Sequence, residues 1–139
     1  MKTGKILLAG FIMWIVSTVV GIVTCGHLFN WVYKIPPVIW KDPAMMMNTT
    51  NMALMNLVGL ISSIIFALVY AVFYKGIPGQ GAVKGMTYGF FIWMVSALIG
   101  VGSMPFYMTI ATTVVIYWIL QALFVNLVNG AILGFIYKE

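Results

Sequence analysis

Lys5-Ile-Leu-Leu-Ala-Gly10-Phe11-Ile-Met-Trp14-Ile-Val16-Ser17-Thr-Val-Val-Gly21 decides how this chain is read, because it returns as Lys84-Gly-Met-Thr-Tyr-Gly89-Phe90-Phe-Ile-Trp93-Met-Val95-Ser96-Ala-Leu-Ile-Gly100. Lys, Gly, Phe, Trp, Val, Ser and Gly recur in register at an offset of 79 residues. An apolar chain repeats Val and Phe by composition alone, but it does not align Lys, Trp and Ser as well. Such self-similarity marks a structural unit used twice. A weaker match follows at an offset of 63, where Ala67-Leu-Val-Tyr-Ala71-Val-Phe-Tyr74-Lys75 aligns with Gly130-Ala-Ile-Leu-Gly134-Phe-Ile-Tyr137-Lys138. The offset falls by 16 residues between the two matches, which is the extra length of the first connection.

The composition says where such a unit lives. Of 139 residues, 63% are hydrophobic and 6% charged, with a net charge of +5 and a mean hydropathy of +1.10. Soluble domains carry about 25% charged residues, so this chain lacks the polar surface that water demands. Its seven cationic side chains are all lysine and are spread along the sequence. Nucleic-acid binding needs a clustered basic face and is not expected. The single Cys cannot form an internal disulfide, and the single internal carboxylate, Asp42, leaves no pair for acid–base catalysis. The chain reads as non-catalytic, with no resident cofactor.

Uncharged stretches run over residues 6–33, 43–74 and 85–137. A spanning helix takes about 20 apolar residues, so the last stretch holds two, broken at Gly100-Val-Gly102-Ser-Met-Pro105. The expectation is an all-α integral membrane protein with four transmembrane helices, near Lys5–Phe29, Asn51–Tyr74, Val83–Gly102 and Phe106–Tyr137. They form a single domain over 1–139, made of two tandem hairpins (repeat 1, 1–75; repeat 2, 80–139) with a long outer loop at 30–51. A two-span unit keeps its direction when copied, so the halves should be related by a pseudo-twofold axis along the membrane normal. Residues 1–25 imitate a signal peptide, but their apolar run exceeds the usual 7–15 residues of such a segment and reads as a span.

Lysine asymmetry orients the bundle. Lys2, Lys5, Lys75, Lys84 and Lys138 fall on one side and Lys34 and Lys41 on the other, which predicts both termini cytoplasmic. The expected location is the inner (plasma) membrane of a bacterium or archaeon.

In lipid, helices associate through small residues and interhelical hydrogen bonds. The second helix offers Gly59, Ser63, Ala67 and Ala71 at four-residue spacing, and the fourth offers Gly130 and Gly134 at the aligned places. The fourth helix also carries Thr109, Thr113, Tyr117, Gln121 and Asn126 as a polar stripe. Trp14 and Trp93 lie about 13 Å inward from their lysines, too deep for an interfacial belt, and Ser17 and Ser96 stand one turn away as candidate partners. His27 and the methionines Met52 and Met55, beside Met45 to Met47, could supply imidazole and thioether ligands to copper, or His27 to haem. The leading expectation is a subunit that associates with itself or with another membrane protein, amid membrane lipids, through its small-residue faces. Two alternatives are a passive channel or carrier for a small neutral solute along Trp14, Trp93, Thr113, Tyr117, Gln121 and Asn126, and a copper- or haem-binding subunit.

Overall fold

The computed structural model describes residues 2–138. Helix α1 (Thr3–Val23) continues into a widened π turn at Thr24–Leu28, followed by a 3₁₀ turn at Asn30–Lys34. A short α2 (Pro43–Met46) leads to α3 (Thr49–Phe73). Helix α4 (Gly81–Trp93) passes into a π segment at Met94–Val101, and α5 (Thr112–Ile136) closes the chain. Among the described residues there is no strand. With their continuations, α1, α3, α4 and α5 are each long and apolar enough to cross a membrane.

Local chemistry explains most boundaries. Asp42 accepts from the Ala44 N–H at 2.8 Å and caps α2, whose first residue is Pro43. Asn48 caps α3 by accepting from the Thr50 N–H at 2.9 Å. Between α3 and α4 the chain turns through Ile77-Pro-Gly79, where Gly79 takes φ +97°, a conformation that side-chain-bearing residues avoid.

The third span, expected to close at Gly102, widens into the π segment and runs to Val101. One expected boundary is corrected. The fourth helix starts at Thr112 instead of Phe106, because Pro105 sits in a separate 3₁₀ turn (Met104–Phe106) and Tyr107–Ala111 are non-helical. Thr109 therefore precedes the helix whose polar stripe it was expected to begin.

Helix α1 packs on α3 and α5, and α4 packs on α5. Helices α3 and α4 meet through Tyr88, whose hydroxyl donates to the Phe66 carbonyl at 2.9 Å. Both chain ends lie at one end of the bundle, since the Lys2 and Lys5 ammonium groups reach the Lys138 carbonyl at 3.2 and 3.4 Å. Just inside that end sits the core: Ile6, Ala9, Met13, Ala67, Tyr70, Tyr88, Leu133 and Tyr137 are buried together. Tyr70 meets Tyr74, Tyr88 and Tyr137 edge-on, with ring centroids 5.2–6.0 Å apart.

The pair α4 and α5 is held by glycine. A Cβ on Gly85 would overlap the Gly130 carbonyl, one on Gly89 the Asn126 carbonyl, and one on Gly134 the Gly81 carbonyl. The two backbones touch directly, as small-residue packing allows.

Candidate functional site

At the far end, away from the termini, α1 changes its winding. The Phe29 N–H bonds the Thr24 carbonyl five residues back at 2.8 Å, closing a π turn. Such bulges often occur at functional positions. Here the widened turn presents two consecutive side chains, Thr24 and Cys25, to one residue of α5. The Gln121 Nε2 donates to Thr24 Oγ1 at 2.8 Å and to Cys25 Sγ at 3.1 Å, while the thiol lies 3.4 Å from Gln121 Oε1. Tyr117, one turn earlier on α5, places its hydroxyl 3.5 Å from the same sulfur.

An aromatic lid covers this network. The Trp118 indole donates to the Tyr33 hydroxyl at 3.2 Å, and Tyr33 stands edge-on to Trp40 (4.9 Å) and Tyr117 (6.3 Å). Phe29 rests on Tyr117 at 5.1 Å, and Trp40 on Trp118 at 5.6 Å. Burial raises the Tyr33 hydroxyl above its ordinary pKa and keeps it neutral. Val38 and Ile39 are exposed, whereas the adjoining Trp40 turns inward against two aromatic faces.

The residues singled out from sequence divide into several places. Tyr117 and Gln121 join the junction just described, but Thr113 is exposed and points elsewhere. Asn126 bonds the Ala122 carbonyl of its own helix at 2.8 Å, and its backbone carbonyl meets Gly89. The indole of Trp93 donates to the Ile119 carbonyl of α5 at 2.9 Å, while Ser96 bonds back to Ile92 at 2.6 Å. Ser17 instead pairs with Asn129 of α5, where the amide donates to the hydroxyl at 2.9 Å. Neither tryptophan thus uses its neighbouring serine, since each hydroxyl has a nearer acceptor or donor. Trp14 faces Gly59, where an added Cβ would stand 3.3 Å from the indole ring. Ala67 is buried, and Ser63 and Ala71 are half-buried; Gly130 and Gly134 lie in the glycine seam.

Two grooves flank the far half of α3. One, of about 440 Å³ between α1 and α3, is lined by Trp14, Thr18, Cys25, Met52, Met55 and Asn56, together with glycines 21 and 59. The other, of about 640 Å³, adjoins it, shares Met55 and Gly59 with it, and is lined further by Lys41, Met46, Leu54 and Val58. His27 lines neither; it is exposed, with Nδ1 3.1 Å from the Ile22 carbonyl. Among the described residues, His, Cys, Asp and Glu side chains form no group of three able to hold a metal.

Sequence reasoning passed over the role of Cys25, Thr24, Tyr33, Trp40 and Trp118. A sulfur beside two hydroxyls and an amide is visible only once α1 and α5 are docked. Comparison with known proteins finds no matching family, no matching curated sequence and no matching solved structure. The function has therefore to be argued from this geometry.

Proposed function

We propose that the chain is a non-catalytic integral membrane subunit, a duplicated four-span bundle that associates with a second copy of itself or with another membrane protein. Both termini face the cytoplasm in this reading, and the halves are related by a pseudo-twofold axis along the membrane normal. Three contacts support the duplication. Gly10 lies against Ile64, and its counterpart Gly89 lies against Asn126 and Leu127, so each pair meets in the register that the offsets of 79 and 63 require. The counterparts Tyr74 and Tyr137 touch each other at 5.5 Å, as residues beside a twofold axis do. Ala67 and its counterpart Gly130 are both buried.

The observation that carries association is the bare outer flank of α3. Leu54 and Val58 line the 640 Å³ groove, and Ser62, four residues further along the same face, is exposed halfway along an apolar helix. A hydroxyl facing lipid at that depth gains from an interhelical partner, by about 0.6–2 kcal/mol. By contrast, the amide of Gln121 is consumed by Thr24 and Cys25 across the α1–α5 seam, which favours a dry joint over a solute path.

The test is crosslinking in native membranes. In a Cys25→Ser background, Ser62→Cys should form a disulfide-linked pair or trap a second membrane chain, and native mass measurement of the unmodified protein should show the same assembly. A chain that stays monomeric by mass and uncrosslinked at position 62 would end this reading.

A further inference from the structure

The groove between α1 and α3 gathers the soft ligands of the far end. Met52 and Met55, three residues apart on one face of α3, line it together with Cys25 from the π turn of α1. These are three sulfur atoms from two helices, and no carboxylate or imidazole lines the groove with them. Thioether and thiolate donors select Cu(I) over harder cations. The sulfur of Cys25 is already oriented by Gln121 Nε2 at 3.1 Å and Tyr117 at 3.5 Å, the kind of outer contact that fixes a metal ligand. The indole of Trp14 forms part of the wall, and an aromatic face also favours a cation. Access is open, because Met52 is 47% and Met55 70% exposed. Methionine has three flexible torsions, so two thioethers from α3 can close on an ion held by Cys25.

We propose that this groove binds one soft monovalent cation, Cu(I) or its analogue Ag(I), through the Cys25 thiolate and the Met52 and Met55 thioethers. Binding releases the thiol proton to solvent and involves no change of oxidation state. His27, which sequence alone suggested as the imidazole partner of these methionines, takes no part. The site adjoins the groove of the association face and shares Met55 with it, but all three of its donors belong to one chain, so binding needs no second copy.

The experiment is an anaerobic competition between the full chain in detergent micelles and a chromophoric Cu(I) chelator. One ion per chain is expected, with a sulfur-only first shell by X-ray absorption. Met52→Leu and Met55→Leu keep volume and apolarity at exposed positions and should each weaken Cu(I) binding about tenfold, with the double variant losing about a hundredfold. Cys25→Ser should lose at least as much as the double variant, and His27→Ala should bind as the native chain does. Failure of the native chain to compete for Cu(I), a nitrogen- or oxygen-containing first shell, undiminished affinity in the Met52→Leu/Met55→Leu protein, or lost affinity in His27→Ala would each overturn the proposal.

Discussion

The two hairpins use aligned residues and pack by different means. Helices α4 and α5 meet backbone to backbone, with Gly85, Gly89, Gly130 and Gly134 all placed where a methyl group would strike the facing helix or its first turn. Helices α1 and α3 have one such point, Gly10 against Ile64, where an added Cβ would stand 2.9 Å from the Ile64 Cα. Where the second hairpin has Gly85 and Gly130, the first has Ile6 and Ala67, which hold its helices further apart. The first hairpin then opens toward its far end into the groove beside Trp14, while the aligned Trp93 is bonded to α5. Two stretches that share Lys, Gly, Phe, Trp, Val and Ser in register therefore take part in one closed seam and one open one, and the open one retains room for a ligand.

This contrast can be broken most severely at the closed seam. Gly85→Leu should cost about 3 kcal/mol or more, read as a large fall in the detergent-unfolding midpoint, because neither backbone can retreat without opening the helix pair. Gly10→Ala should cost about 1–3 kcal/mol in the same assay, since its obstacle is the Ile64 backbone at a single point. Gly59→Ala should change stability by under about 0.5 kcal/mol, because the only near atoms belong to the Trp14 ring beside open space; an effect as large as that of Gly10→Ala would show the two seams to be alike.

Side-chain substitutions sharpen the comparison further. Trp93→Phe removes the donor to Ile119 and should cost about 1 kcal/mol, against no measurable change for Trp14→Phe. A small coupling is expected between α1 and α5: a double-mutant cycle of Ser17→Ala and Asn129→Ala should give about 0.6 kcal/mol. Ser96→Ala, at the duplicate position, should give none with any residue of α5, because its hydroxyl bonds only its own helix.

Much of the fold is legible in residue order. Apolar length between lysines predicts four long helices, and Gly79 beside Pro78 marks the tight turn between the second and third. The start of α5 was not legible, because the chain after Pro105 is as apolar as a helix and only the intervening turn geometry delays it to Thr112. The candidate site was half legible. Tyr117, Gln121, Met52 and Met55 stand out as polar or soft residues in an apolar chain, but nothing local joins them to Cys25 or separates them from His27.

Residue order by itself established four apolar helices, two stretches with matching residues 79 positions apart, and small-residue faces, because helix length and side-chain period are properties of neighbours in the chain. Docking alone decided that Trp93 is bonded while Trp14 borders a groove, that Ser17 finds Asn129 while Ser96 does not, and that Cys25 sits between Gln121 and two methionines. Those outcomes depend on how far apart two helices stand and which turn of one meets which turn of the other. A single methyl group at the contact changes that spacing, and identical residues in the two matching stretches then meet different partners.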